Sequence, residues 1–151
     1  MIRDDIKAAT IDAMKARDER RVSALRMMTA AIKNKDIELR TAATTLDDDQ
    51  VVADVLTKMA KQRRESIEMY LSGNRPELAD AERAELAVIE SFLPQQMDPA
   101  QAQDAVRSLV EELGAKGPQD MGRVMAELKQ RFAGQIDMSR ASLMVKQALT
   151  Q

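Results

Sequence analysis

Apolar residues recur along this chain at steps of three and four, which is the spacing of one face of an α-helix. The stretch from Val22 to Ile32 has this pattern, with Leu25 and Met28 on the same face. Similar stretches predict four helices in the first two thirds of the chain, over about residues 2–17, 18–40, 47–72 and 75–93. Three shorter helices are predicted after them, over residues 99–113, 118–132 and 138–149.

Residues that begin or end helices mark several of these boundaries. Asp47 is expected to cap the third helix together with Gln50, three residues on, as in a capping box. Gly73 is expected to end that helix in the left-handed conformation. Pro94 ends the fourth helix because proline lacks the backbone N–H of a helix interior. A new start at Asp98 follows, which makes the short polar segment between them the best domain boundary.

The composition favours the same class of fold. Aromatic residues make up 2% of the chain and there are five glycines. Most positions hold Ala, Leu, Met, Glu, Lys, Arg or Gln, the residues that lose least rotamer freedom in a helix. We therefore expect an all-α protein, with a helical N-terminal domain of about four helices over residues 1–97 and a small three-helix tail domain over 98–151.

Residue types used in common catalytic and metal chemistry are missing. The chain has no cysteine and no histidine, which removes thiolate nucleophiles, the commonest general base and the commonest metal ligand. Glycine-rich phosphate loops and a G-x-S-x-G elbow are absent as well. Asp47, Asp48 and Asp49 lack the spaced ligands of an EF-hand, so helix capping is favoured over metal binding. We expect no catalytic residue, no metal site and no cofactor.

Nothing in the sequence predicts a membrane span or a secretory signal. No run of about 18 apolar residues occurs, and the first residues lack the basic and then apolar order of a signal peptide. Because cysteine is absent too, a cytoplasmic protein with no membrane partner is expected.

Charge is unevenly distributed along the chain. The formal net charge of −2 argues against a general nucleic-acid binder. Residues 1–40 carry 10 basic and 7 acidic side chains, residues 41–97 carry 6 and 11, and residues 98–151 carry 7 and 7. Residues 114–151, within the last part, hold 6 basic side chains against 3 acidic ones. Two mildly basic ends therefore flank an acidic middle.

Four segments in one order carry a resemblance to a known family. They are Arg21–Met27 with Ala30–Asn34, Lys61–Ile67, Glu85–Leu86 with Glu90 and Phe92–Pro94, and Asp120–Met125. On these segments the chain resembles a stand-alone member of the GatB/YqeY family over essentially its whole length. One departure is that many relatives have Asp-Gly followed by a cation where this chain has Asp137, Met138, Ser139 and Arg140.

The resemblance implies a relation to tRNA amidation. A similar tail ends the B subunit of the glutamine-dependent amidotransferase that converts Glu-tRNA(Gln) or Asp-tRNA(Asn) to the amidated form. The tail of that enzyme holds the tRNA body, while the chemistry lies in other domains and subunits. If the activity implied by the resemblance is transferred to this chain, the chain would be described as a carbon–nitrogen ligase that uses glutamine as amido-nitrogen donor. This chain resembles only the tail and a helical extension, so a protein that binds or presents tRNA is expected rather than an autonomous enzyme.

Two other functions stay open from the sequence. One is a non-catalytic protein-interaction adaptor whose basic ends dock an acidic partner or an amidotransferase assembly. The other is an auxiliary enzyme that completes an amidotransferase in trans.

The candidate RNA site lies in the tail. Asp120 to Arg123 follow Lys116-Gly117-Pro118, which predicts a helix start with free N–H groups beside cations, a favourable seat for phosphate. Gly122 would permit the close approach of an RNA backbone. The alternative is that Gly122 serves helix packing and the cations are solvated. The candidate residues are Lys116, Gly122, Arg123, Lys129, Arg131, Arg140 and Lys146.

A second set of cations lies in the N-terminal domain. These six residues could line a basic groove between the second and third helices or form ion pairs between helices, with Glu65, Glu85 and Glu90 as partners. Ion pairing is favoured, because arginines close to an apolar face gain most from bidentate carboxylate partners. The six are Arg21, Arg26, Lys33, Lys61, Arg63 and Arg64.

Overall fold

The structure is a computed structural model that describes residues 1–42, 47–132 and 134–150. Throughout these ranges the regular elements are helical and no strand occurs, so the all-α prediction is confirmed. The helices are α1 (Ile2–Lys15), α2 (Glu19–Leu39), α3 (Asp48–Ser72), α4 (Pro76–Glu90), α5 (Pro99–Leu113), α6 (Met121–Arg131) and α7 (Met138–Thr150). A short 3₁₀ turn, Pro118–Asp120, precedes α6.

The chain divides into two compact units, Met1–Pro94 and Gln95–Gln151. The second unit begins before α5 because two residues of the connecting segment bond to the turn that precedes α7. The side-chain amide of Gln96 donates to the carbonyl of Gly134, and the N–H of Met97 donates to the carbonyl of Gln135 at 3.0 Å.

The first unit packs α1 to α4 around aliphatic side chains. Leu25 and Met28 of α2 and Leu56 of α3 are completely buried, and each such side chain contributes roughly 1.5–3 kcal/mol by leaving water. Asp47 accepts the N–H of Gln50 at 2.8 Å and completes the predicted capping box. The full buried cluster is Ile6, Ala13, Leu25, Met28, Ile32, Val52, Leu56, Ala60 and Ile89.

The second unit packs α5, α6 and α7 around a separate aliphatic cluster. Asp137 accepts the N–H of Ser139 at 3.0 Å and so caps α7. No buried polar or charged residue occurs within the described ranges of either unit. The buried cluster of the second unit is Ala102, Val106, Leu109, Val124, Leu128, Ile136, Ala141, Val145 and Leu149.

The end of α3 differs from the prediction. Gly73 has a φ of −85°, so its predicted left-handed conformation is wrong, and Asn74 takes that conformation with a φ of 57°. The N–H of Arg75 donates to the carbonyl of Tyr70 at 2.8 Å, which completes a Schellman motif one residue later than expected. Asparagine tolerates the left-handed region, so glycine is not required there.

Arg3 ties the start of α1 to two other helices. Its guanidinium bonds both carboxylate oxygens of Asp36 in α2, at 2.8 and 2.9 Å, and both of Asp48 in α3, at 3.1 and 2.8 Å. Beside it, the N–H of Ile2 donates to Asp49 at 2.9 Å. The first-turn aspartates of α3 therefore fix α1 as well as beginning their own helix.

The Arg3 cluster should make folding sensitive to acid. The hydrogen bonds from Arg3 hold the pKa of Asp36 below its ordinary value. An unfolded Asp titrates near pH 4, so the contribution is present above that pH and is lost as the pH falls through the folded pKa. Replacing Arg3 with Ala should lower the unfolding free energy at pH 7 by about 1 kcal/mol, since the cluster is partly exposed. Urea unfolding between pH 2 and pH 7 measures this difference, which should shrink toward zero at the acid end.

A matched control for that series is Arg75→Ala, because among the described residues Arg75 forms an ion pair only with Glu77, two residues away, at 2.9 Å on the surface. It should leave the unfolding free energy almost unchanged. A deficit for Arg3→Ala that stays constant from pH 2 to pH 7 would contradict the assignment of the acid sensitivity to Asp36.

Replacing either of two glycines of the second unit with alanine should change the stability of the protein, and in opposite directions at the two positions. Gly114, at the end of α5, has a φ of 63°, where a Cβ is strained, and Gly114→Ala should destabilise the protein by about 1 kcal/mol. Gly122 is helical and nothing lies within 4 Å of a Cβ added there. Gly122→Ala should therefore stabilise by roughly 0.5 kcal/mol through helix propensity. Thermal unfolding of both variants checks the pair, and effects of the same sign would show that one environment is misassigned.

Candidate nucleic-acid interface

The connection from α5 to α6 is built by local hydrogen bonds. Gly114 ends α5, and the N–H of Lys116 then donates to the carboxylate of Asp120 at 2.9 Å. Gly117 is extended and buried, and an added Cβ there would lie 2.6 Å from the side-chain oxygen of Gln119. The segment therefore places Lys116 at the surface, close to the start of α6.

The start of α6 is not as open as the sequence predicts. Pro118 begins a 3₁₀ turn, in which the N–H of Asp120 donates to the carbonyl of Gly117 at 2.9 Å and the N–H of Met121 donates to that of Pro118. The prediction that free N–H groups face outward there is wrong for Asp120 and Met121. The Asp120 carboxylate adds negative charge at the same place. Phosphate binding here would therefore depend on side-chain cations rather than on the N–H groups of the helix end.

Gly122 and Arg123 both lie on the surface of α6. Gly122 faces open space, so the alternative that it serves helix packing finds no contact within the described residues. The side chain of Arg123 is 52% exposed, and its guanidinium lies 3.4 Å from the carboxylate of Asp120. Arg123 is thus partly neutralised and remains accessible.

Arg131 differs from the other cations of the tail. Its guanidinium makes a bidentate contact with Glu112 of α5, at 2.6 and 2.9 Å, and its Nε donates to Glu127 at 3.0 Å. The pKa of Glu112 is lowered chiefly by these hydrogen bonds, and that of Arg131 is raised. Arg131 therefore joins α5 to α6 and is already occupied by carboxylates.

The four remaining cations among the candidate RNA-binding residues are exposed and have no carboxylate within ion-pair distance among the described residues. Two of them sit on α7 six residues apart, which places them about 120° apart around the helix. They form a scattered set rather than a row. The four are Lys116, Lys129, Arg140 and Lys146.

Charge within the tail is divided between helices. Residues 95–113, which include α5, carry 1 basic and 4 acidic side chains, while residues 114–150 carry 6 basic and 3 acidic ones. Of those three acids, Asp120 and Glu127 already contact arginines and Asp137 caps α7. The part of the tail that carries α6 and α7 is therefore the one suited to an anionic ligand.

In the first unit, Arg63 and Arg64 join α3 to α4. Arg63 lies 2.9 Å from Glu85 and 3.4 Å from Glu82, with only 17% of its side chain exposed, and Arg64 lies 2.8 Å from Glu90. The Arg63 Nε and a Glu82 oxygen are buried without a hydrogen bond, so their contact is electrostatic alone. Of the three partners proposed from the sequence, Glu85 and Glu90 form these ion pairs, whereas Glu65 forms none among the described residues, and Glu82 was not proposed.

The other four cations of that set are placed differently. Arg26 and Lys33 on α2 are exposed, Arg21 is half-buried, and none of the three has a carboxylate within ion-pair distance in the described ranges. Lys61 is half-buried on α3. The structure therefore divides the six residues into an ion-paired part on α3 and an unpaired part on α2.

The three consecutive aspartates at the start of α3 are all occupied. Asp47 caps its own helix, Asp48 binds Arg3 and Asp49 accepts the N–H of Ile2. Within the described ranges no cluster of three or more His, Cys, Asp or Glu residues could hold a metal ion. None of the described helices is both long enough and apolar enough to cross a bilayer.

Comparison with known proteins finds relatives in yeasts. The chain is 33% identical over 95 residues to altered inheritance of mitochondria protein 41, mitochondrial, of Saccharomyces cerevisiae, which covers 63% of this chain and 48% of that protein. The protein of the same name from Lachancea thermotolerans is 32% identical over 119 residues, covering 78% and 60%. The one from Vanderwaltozyma polyspora is 36% identical over 93 residues, covering 57% and 49%.

The chain thus spans about half the length of the curated relatives it matches. Their names attach a mitochondrial location and an inheritance phenotype to those yeast proteins. A second comparison, with the sequence patterns of protein families, covers nearly the whole chain. The pattern described as Yqey-like protein matches residues 3–149, and the chain therefore belongs to the YqeY-like family.

Proposed function

We propose that this protein binds and presents tRNA through the phosphate backbone, and that it acts beside a glutamine-dependent tRNA amidotransferase rather than as an enzyme itself. One observation carries the proposal: exposed cations gather on the α6–α7 part of the tail, whose three acids are already engaged, while the remaining acids of the tail lie on and just before α5. The proposed contacts are Lys116, Arg123, Lys129, Arg140 and Lys146.

The scattered placement of these cations is compatible with phosphate binding. Phosphate contacts are electrostatic and release counterions from the RNA whether or not the cations form a row. Gly122 adds an open position at which a backbone could approach α6. Arg131 has a different part in this proposal, because its carboxylate partners leave it to hold α5 against α6.

The aromatic residues favour recognition of backbone and shape over recognition of bases. Tyr70, Phe92 and Phe132 are each partly buried, and the last two pack against the aliphatic cores. Stacking of splayed bases requires exposed aromatic faces. The proposed ligand is therefore a folded RNA such as tRNA rather than an unpaired strand.

Catalysis is assigned to other polypeptides in this proposal. The chain has no cysteine or histidine and no glycine-rich loop of a known nucleotide-binding pattern. The carbon–nitrogen ligase label would then describe the assembly in which the protein works. We place that work in the cytoplasm, and the mitochondrial names of the relatives concern the yeast proteins alone.

A second candidate function, a protein-interaction adaptor, is favoured by a separate observation. Exposed methionines, and arginines that form no ion pair within the described ranges, line a groove on α2, in the other unit of the chain. An adaptor would use that groove and would not require the tail to bind RNA.

The tRNA proposal predicts a salt-dependent affinity that rests on the tail cations. A variant with Arg123, Lys129, Arg140 and Lys146 all changed to Gln should bind bulk tRNA at least about tenfold more weakly at 0.1 M salt. Each lost phosphate contact should also flatten the slope of log affinity against log salt by about 0.7–0.9. Filter binding between 0.05 and 0.3 M salt measures both quantities.

The matched control is Arg107→Gln, which removes an exposed cation from the acidic helix α5, where it lies 3.9 Å from Asp104. It should leave the slope unchanged. Equal slopes for the wild type and the fourfold variant would remove the proposed interface. Release of ammonia from glutamine by the purified protein would contradict the assignment of catalysis to other polypeptides.

A further inference from the structure

A groove of about 750 Å³ runs along the solvent-facing side of α2, next to the C-terminal end of α1. Its floor is formed by Met14, Val22, Ser23, Met27 and Ala30. A smaller hollow of about 310 Å³ adjoins it, since Ser23 lines both, and lies between α2 and Ala81, Ala84 and Val88 of α4. We call the larger feature the α2 groove.

The floor of the α2 groove exposes large apolar side chains. Met14 is 52% exposed and Met27 is 43% exposed, although single exposed apolar residues elsewhere on a surface need no explanation. Here the two methionines share one groove with Val22 and Ala30. Methionine is flexible and polarisable, so such a floor can adapt to apolar side chains of different shapes.

The α2 groove and its adjoining hollow are lined by four arginines and three acids, so their net charge is positive. Arg17 and Arg26 border the groove, and Arg20 and Arg21 border the adjoining hollow. None of the four has a carboxylate within ion-pair distance among the described residues.

The acids nearby are largely engaged elsewhere. Asp18 accepts the backbone N–H of Arg21 at 3.2 Å as the cap of α2, and Glu85 lies 2.9 Å from Arg63. Glu19 is the one lining acid of the groove and its adjoining hollow without such a contact in the described structure. The surface around α2 therefore attracts acidic groups.

Arg17 is held on this rim by an unfavourable backbone. It has a φ of 57°, and the N–H of Asp18 donates to the carbonyl of Ala13 at 3.0 Å in a Schellman motif that ends α1. The same position is taken by Asn74 after α3 and by Gly114 after α5, residues that tolerate the left-handed region better. A long charged side chain in this backbone conformation lowers the stability of the fold. A role of Arg17 in binding a ligand, rather than in folding, fits that loss of stability.

The dimensions of the groove suit a helix. Its lining residues on α2 run from Glu19 to Ala30, which spans about 16 Å, or three helical turns. Small residues at Ser23 and Ala30 leave room for a second helix to approach α2 closely. An amphipathic helix laid in an apolar groove is a common mode of peptide recognition.

We infer that the α2 groove docks an amphipathic helix of a partner protein, whose apolar face is flanked by Asp and Glu. We infer acidic flanks on the partner helix from the positive charge of the rim, and an apolar face from the exposed methionines. Protein is favoured over RNA here because phosphates gain nothing from an apolar floor. Arginine and methionine are also enriched in protein interfaces whereas lysine is depleted. This inference goes beyond the tRNA proposal and does not rest on it.

The test uses the full chain and two designed 18-residue helical peptides as probes. Both carry leucines at the same three- and four-residue steps, one with Glu and one with Lys on the flanks, and both are labelled for fluorescence anisotropy. The Glu-flanked peptide should bind saturably and at least about tenfold more tightly than the Lys-flanked one at low salt. No saturable binding, or equal binding of the two peptides, would overturn the inference.

Two variants locate the binding on the α2 groove. Ala30→Glu places a bulky anion on the floor, and Arg26→Glu reverses a rim charge. Each should weaken the Glu-flanked peptide by about tenfold or more. Ala100→Glu and Arg107→Glu make the same changes on exposed positions of α5 and should have no effect. Thermal unfolding of all four variants distinguishes lost binding from lost folding, and equal effects of the groove variants and the controls would overturn the inference.

Two further measurements test whether RNA or a second copy of the chain, rather than a partner helix, occupies the α2 groove. If Arg26→Glu weakens bulk tRNA binding while neither peptide binds, the groove is an RNA surface and the inference is wrong. If the protein self-associates in analytical ultracentrifugation and Ala30→Glu makes it monomeric, a second copy of the chain occupies the groove, and the inference is again wrong.

Discussion

Burial of aliphatic side chains between helix faces is the interaction on which the rest of this protein depends. Both units are held in this way, and no polar or charged residue is buried within the described ranges. Aliphatic contacts are non-directional, so they favour a compact set of helices without specifying every crossing between them. All charged groups are consequently at or near the surface, where some complete the fold and others remain open to ligands.

Arginines that bridge helices supply specificity that the aliphatic cores lack. Arg3 connects α1 to α2 and α3, Arg63 connects α3 to α4, and Arg131 connects α5 to α6. The guanidinium groups of Arg3 and Arg131 each bond two carboxylate oxygens at once, so those contacts restrict orientation as well as distance, whereas Arg63 pairs electrostatically. These arginines are therefore poor candidates for ligand binding, although sequence alone does not distinguish them from the free cations.

Local patterns predicted the helices and their caps because those features depend on neighbouring residues. The capping box of Asp47 and Gln50 is an example. The bridging arginines could not be predicted in the same way. Arg3 and Asp48 are 45 residues apart, and Arg131 and Glu112 are 19 apart, so no local spacing connects them. Gly73 and Asn74 are adjacent and both permit a left-handed helix end, and sequence preference chose the wrong one.

At the candidate RNA site, sequence-based prediction also failed, even though the residues involved are close together in the chain. Asp120, Gly122 and Arg123 were expected at an open helix start, but Pro118 begins a 3₁₀ turn that uses two of the N–H groups. Composition shows that the tail carries a basic stretch, yet only the contacts of Arg131 with two carboxylates separate that arginine from the neighbouring cations.

Two different surfaces remain once the bridging arginines are set aside. The tail presents exposed cations, three of them lysines, and its one large exposed apolar side chain among the described residues is Leu143 of α7, which is 63% exposed. The α2 groove presents arginines around exposed methionines. Both ammonium and guanidinium groups bind phosphate, so the exposed methionines beside the arginines, rather than the choice of cation, favour a protein ligand at the α2 groove. The two chemistries lie in separate units of the chain, so the proposed RNA contacts and the proposed docking groove share no residue.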